Sequence, residues 1–187
     1  YPQEQVAPLL ARALFGAGEL DKLLAEFSDT RLTDARGQAA VLAALGDAHL
    51  ARRDVDKARA AYVDALAADA DQTEARIGLA RTHILKQDLK AAEDEVREAI
   101  RRKPDSAEAH ATLSDVLMMR DEPEQSLLSL REAIRLAPGA VNYHFAHVSQ
   151  LLRQGKRPEA EKALEAMQAN APNHPSTRYL KALLDYQ

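Results

Sequence analysis

Residues 73–106, TEARIGLARTHILKQDLKAAEDEVREAIRRKPDS, set above residues 107–140, AEAHATLSDVLMMRDEPEQSLLSLREAIRLAPGA, align without a gap. Leu79, Ala92, Val96, Ala99 and Pro104 fall over Leu113, Ser126, Leu130, Ala133 and Pro138, each pair keeping the small, apolar or proline character of its position. The step is 34 residues. A fixed period of this length marks one supersecondary unit copied along the chain. One step back, residues 39–72 supply Leu45, Gly46, Ala58, Tyr62 and Ala65; one step forward, residues 141–174 supply Val148, Leu151, Ala160, Leu164, Met167 and Pro172.

Each unit reads as helix, turn, helix. Small residues such as Gly46, Ala58, Ala80, Ala92 and Ala160 let two helices approach closely, and Leu, Val or Tyr beside them fill the groove so formed. Pro104, Pro138 and Pro172 fall where a helix has just ended, and Pro123 and Pro158 fall in the first turn of a second helix, where a missing N–H costs nothing. Asp54 and Asp88 are placed to cap second helices, and Glu93 with Arg97 and Glu98 with Arg102 have the favourable acid-before-base order. One hairpin cannot bury both of its apolar faces, so each must stack on the next. Outside the four units, residues 4–38 read as a divergent first repeat, an apolar helical pair over 4–27 followed by an irregular connection from Ser28 to about Arg36. Residues 175–187 read as the first helix of a truncated further unit, with Gln187 inside it. The start at Tyr1 without a methionine leads us to expect a fragment of a longer protein, residues 1–187 being one array.

The repeat resembles the tetratricopeptide signature, W-x₂-L-G-x₂-Y, then A-x₃-F, then P, at 34 residues. The likeness covers nearly the whole chain, although no unit has the tryptophan and only Leu45-Gly46 reproduces the Leu-Gly pair. It implies an all-α solenoid, a right-handed superhelix of antiparallel helix hairpins with a concave surface lined by first helices.

Composition agrees with helices: 46% of residues are hydrophobic but only 4% aromatic, with alanine, leucine and charged residues dominating. A net charge of −4, with acids and bases interspersed, offers no basic stripe for nucleic acid. No apolar run is long enough to span a bilayer, and the N-terminus lacks the form of a signal peptide. The absence of cysteine suits a reducing or an oxidising compartment equally. His49 and His83 stand where the signature has tyrosine and read as half-buried packing residues; His144 and His147, one turn apart, lack the further ligands that zinc requires. Glu93, Asp94, Glu95 and Glu98 read as a solvated face. With no phosphate loop and no nucleophile elbow, the reading is a non-enzyme with no cofactor and no metal.

What remains is a binding surface. The resemblance places it at the second, fifth, ninth and twelfth positions of first helices. Carried over, these give Asp47, Ile77, Arg81, Ile84, Asp115, Met118, Phe145, Ser149 and Tyr179 as the partner-binding groove, with Leu50, Glu74, Glu108, Asn142, Leu152 and Leu183 beside them. An apolar strip flanked by alternating charges suits an extended peptide or a partner helix. The lysine and asparagine of a chaperone-type carboxylate clamp are replaced by Ala43 and Asp47, Ile77 and Arg81, Ala111 and Asp115. An asparagine ladder is ruled out because the chain has only Asn142, Asn170 and Asn173. The stretches LLAEFSDTRLTDARGQAAVLAALGDAHLARRDVDKARAAYVDAL and NHPSTRYLKALLDYQ are similar to bacterial tetratricopeptide lipoproteins of PEP-CTERM and exopolysaccharide systems. That resemblance implies a periplasmic or cell-envelope scaffold with a lipid anchor upstream of Tyr1. The alternatives are a cytoplasmic adaptor or co-chaperone and the regulatory repeat region of a larger enzyme.

Overall fold

Helix starts and stops in the computed structural model, which describes residues 2–186, follow the capping chemistry of the sequence. The helices are α1 (Pro2–Gly16), α2 (Leu20–Phe27), α3 (Ala35–Ala51), α4 (Val55–Ala68), α5 (Thr73–Leu85), α6 (Leu89–Arg102), α7 (Ala107–Met119), α8 (Pro123–Leu136), α9 (Val141–Arg153), α10 (Arg157–Asn170) and α11 (Pro175–Tyr186). No strand occurs among the described residues, and no helix among them is long and apolar enough to cross a membrane. The placing of Gln187 inside the last helix lies outside the described residues. The Asp54 carboxylate accepts from Lys57 N–H at 3.3 Å and that of Asp88 from Ala91 N–H at 3.1 Å, each satisfying a first-turn amide. Pro123 and Pro158 lie in the first turns of α8 and α10. The pairs expected on the outside of α6 form, Arg97 on Glu93 at 2.7 Å and Arg102 on Glu98 at 2.6 Å.

The turn inside each hairpin repeats as faithfully as the helices. Arg53, Gln87 and Asp121 have φ of 63°, 61° and 61°, and Gly155 has 70°. These positions are 34 residues apart. In each turn the next N–H reaches back to a carbonyl of the first helix: Asp54 to His49 at 2.9 Å, Asp88 to His83 at 3.0 Å, Glu122 to Leu117 at 2.9 Å and Lys156 to Leu151 at 3.0 Å. This is the backbone closure that ends a helix through a left-handed residue. Gly18, with φ 74°, and the Glu19 to Leu14 bond repeat it in the first hairpin. That hairpin diverges afterwards. α2 stops at Phe27, and the segment to Asp34 is held by the Glu4 carboxylate, which accepts from Thr33 N–H at 2.9 Å and Asp34 N–H at 3.1 Å. Those bonds hold the Glu4 carboxyl below its ordinary pKa.

Contacts divide the chain into two compact units, Tyr1–Lys103 and Pro104–Gln187. In the first, α1 packs on α2 and α3, α3 on α4 and α5, α4 on α5, and α5 on α6. Its core joins Ala11, Leu14, Leu23, Val41 and Leu45 at one end with Ala58, Tyr62, Ala65, Ala75 and Leu79 further along. Tyr62 is 0% exposed and binds successive hairpins together. A Cβ on Gly46 would lie 2.4 Å from its ring and one on Gly78 2.3 Å, so the ring fits only because α3 and α5 both present glycine to it. In the second unit α7 packs on α8, α8 on α9, α9 on α10, and α11 on both α9 and α10. Leu127, Val148, Leu151, Leu164, Met167, Leu180 and Leu184 form its core.

Gly46→Ala or Gly78→Ala should each destabilise the chain by about 1–3 kcal/mol in urea denaturation through overpacking against Tyr62, and adding Tyr62→Leu should recover part of the loss. Gln87→Gly should stabilise by about 0.5–1 kcal/mol, because glycine relieves the left-handed strain at some cost in unfolded-state entropy; an unchanged midpoint would show that the turn carries no strain.

Candidate functional site

α9 presents Phe145, Ser149 and Leu152 on one face, the i, i+4 and i+7 positions of a helix. α11 is set against it by three anchors. Thr177 and Leu180 are buried, the Thr177 hydroxyl donates to the Ala171 carbonyl at 2.8 Å, and Arg157 Nη2 donates to the Leu184 carbonyl at 2.7 Å. The last bond holds a guanidinium against the C-terminal turn of α11, where the helix dipole favours positive charge. With α11 fixed, Phe145, Ser149, Leu152, Arg153, Tyr179, Leu180 and Leu183 enclose an open cleft of about 340 Å³. The Phe145 and Tyr179 rings lie 6.3 Å apart at 37°, within the range of a favourable aromatic pair. Phe145 is half-buried and Tyr179 is 59% exposed. The cleft thus combines aromatic and aliphatic side chains with the Ser149 hydroxyl and the Arg153 guanidinium.

The structure therefore brings together three of the residues expected from the sequence, Phe145, Ser149 and Tyr179, with Leu152 and Leu183 beside them. Arg153 and Leu180 were not anticipated. Arg153 continues the i, i+4, i+8 line from Phe145 and Ser149, and that line is the sequence signal for it. The other expected residues lie elsewhere. Asp115 is exposed and Met118 half-buried on α7, outside the cleft. In the first unit Arg81 and Ile84 are half-buried on α5, and Asp47 accepts the Tyr62 hydroxyl at 2.7 Å, which gives its carboxylate a structural task. The placing of Ile77 on an open surface is corrected: it is 1% exposed, because α3, α4 and α6 all pack on α5 and cover it.

On another side of α9, Arg131, Ile134, His144, His147, Leu151, Glu159, Lys162, Ala163 and Ala166 surround a second cleft of about 460 Å³, formed with α8 and α10. The two neighbouring histidines have separate partners. His144 Nε2 lies 2.9 Å from the Pro138 carbonyl, and His147 Nε2 receives a long bond, 3.4 Å, from Arg131 Nε. Burial first, then the Arg131 guanidinium and His144, hold the His147 pKa down from 6.5 to about 4. Its imidazole is neutral at pH 7.

Residues 49–116 match the tetratricopeptide repeat family model. No curated protein matches the chain. Among solved structures, a thermophilic tetratricopeptide protein of Thermus thermophilus is similar over 98% of this chain and 100% of its own, with 19% identity and a TM-score of 0.78. Pseudomonas aeruginosa pilF is similar over 98% of this chain and 83% of its own, at 15% identity and TM-score 0.76. YrrB, a tetratricopeptide protein with an unusual peptide-binding site, is similar over 89% of this chain and 82% of its own, at 20% identity and TM-score 0.60. Likeness at this identity establishes the fold: the chain is an all-α tetratricopeptide solenoid.

The depressed His147 pKa carries a pH prediction. The unfolded chain takes up this proton near pH 6.5 and the folded chain only near 4. The contribution is therefore intact above about pH 7 and is lost as pH falls from about 6.5 towards 4. In thermal melts, His147→Gln should flatten the difference between pH 7 and pH 5 relative to the parent chain; an identical slope in the two proteins would remove His147 from the account.

Proposed function

We propose that the chain is a non-catalytic protein–protein interaction scaffold, and that the cleft between α9 and α11 takes a peptide segment of its partner. The observation that carries this reading is the convergence of Phe145, Ser149 and Tyr179 on one open trough beside Arg153. An exposed aromatic over an apolar floor with a cation at its edge has the composition of an interface anchor point. Arg153 makes no ion pair among the described residues, so the segment it suits carries an aromatic or aliphatic side chain next to an acidic one. YrrB, of the same fold, is described as having a peptide-binding site, which supports a peptide ligand for this architecture. The setting we propose is a bacterial envelope assembly that makes exopolysaccharide or sorts PEP-CTERM proteins, a reading supported by the sequence resemblance of the two segments quoted above.

Selection from a random peptide library on the whole chain should return apolar residues adjacent to Asp or Glu. Fluorescence anisotropy with the selected peptides should then show a loss of about tenfold or more for Phe145→Ala and for Tyr179→Ala, with helicity unchanged by circular dichroism. Affinity indifferent to both substitutions would put the partner elsewhere. Cross-linking in a bacterial envelope extract should capture components of a surface-polymer or sorting system through the same cleft; capture of cytosolic chaperones alone would overturn the proposed setting.

A further inference from the structure

The second cleft shares α9 with the first but uses another face of it. At 3.6 residues per turn, the centre of His144, His147 and Leu151 lies roughly 130° around the helix from that of Phe145, Ser149 and Leu152. An occupant there is independent of the peptide reading. The volume, about 460 Å³, and the apolar lining from Leu151, Ile134 and Ala163 are those of a small-molecule site. Along α9 the lining runs from His144 to Leu151, about 10 Å at the helical rise, too short to seat a partner over the roughly 800 Å² per side that a stable protein interface buries.

Charge selects the head group. Arg131 and Lys162 stand against a single acid, Glu159. Arg131 is only loosely engaged: its Nη2 is 4.0 Å from Glu159, and its Nε makes the long bond to His147. A guanidinium carries five N–H donors in a fork suited to a carboxylate, so most of this one's capacity is open. Arg131 and Glu159 are both more than half exposed, which makes their mutual attraction weak and easily exchanged. Lys162, one turn along α10 from Glu159, forms no ion pair with it. His144 Nε2 is turned to the Pro138 carbonyl.

We propose that this cleft binds a small amphipathic carboxylate, a medium-chain aliphatic acid whose tail lies on Ile134, Ala163 and Ala166 and whose carboxylate is held by Arg131 and Lys162. The site is open at one side, as a ligand that exchanges with solvent requires. Arg131 precedes Ile134 by one turn on α8, and Lys162 precedes Ala163 and Ala166 on α10, so on both helices a cation comes before the apolar lining.

The test is a titration of the whole chain with octanoate, and separately with octanol, followed by the methyl NMR signals of Ile134, Ala163 and Ala166. Octanoate should give saturable shifts, and octanol should bind about tenfold more weakly, the factor expected when a charged hydrogen bond is lost. The double substitution Arg131→Gln with Lys162→Gln should reproduce that loss with octanoate, and Glu159→Gln should tighten binding by removing the competing acid. Ala163→Leu fills the floor and should abolish binding; Ala166→Leu, at an exposed position, makes the same test where the first variant perturbs the fold. Equal affinity for octanoate and octanol, binding untouched by both leucine variants, or the absence of any saturable shift would overturn the proposal. Peptide binding at the α9–α11 cleft should be unchanged in all of these variants.

Discussion

The structure depends on how closely one helix can lie against the next at a single small position of each hairpin. Ala58, Ala92 and Ala160 are completely buried there, and a methyl group at the crossing keeps the axes near the lower end of the usual 8–10 Å. A larger side chain would push the hairpin apart and open the layer of Leu, Val and Tyr beside it. Ser126 takes the same place in α8, and its polarity is matched rather than exposed. Its hydroxyl lies 2.8 Å from that of Ser114 and 2.7 Å from the Ser114 carbonyl, with Gln150 Nε2 at 3.1 Å. All three residues are buried, and their mutual bonds remove most of the cost of burying them. Where the repeat departs from alanine, the departure is shared by three helices at once.

Close approach also explains the asymmetry between hairpins. Tyr62 stands where the equivalent residues are Val96, Leu130 and Leu164. Its extra bulk is accommodated by glycine on either side and its hydroxyl by Asp47. Surface charges add little by comparison. Arg52 with Asp21, Lys86 with Asp56 and Lys156 with Glu124 link one hairpin to the previous one at 2.6–2.7 Å. At least one partner in each pair is largely exposed, and such pairs rarely contribute as much as about 1 kcal/mol each. They favour one register of stacking; the apolar layers supply the stability.

α9 is the element shared by the two clefts. Its core side, Val148 and Leu151, is buried, and the flanks that remain open form the two clefts. One is completed by α11 and ends in an exposed aromatic, the other by α8 and α10 and ends in cations. Recognition is the role we propose for both, and a repeat fold with variable surface positions is suited to provide it.

The 34-residue period by itself determined the helix-turn-helix unit, the small residues at the crossings, the capping aspartates and the prolines at helix ends. All of these are encoded by neighbours within a few residues of one another and recur with the repeat. The family resemblance carried Phe145, Ser149 and Tyr179 over as groove positions of first helices, and the structure sets the three around one cleft. Tertiary structure alone decided that Ile77 is enclosed while Tyr179 is not, that Tyr62 needs glycine from two helices, that Arg153 reaches the trough, and that His147 sits beside Arg131 in a cleft of its own. Exposure and side-chain pairing depend on the rotation and offset of each hairpin against the next within its unit, which arise from packing among residues roughly 16 or more apart in sequence. A repeat pattern that scores each position alike carries no record of that sum.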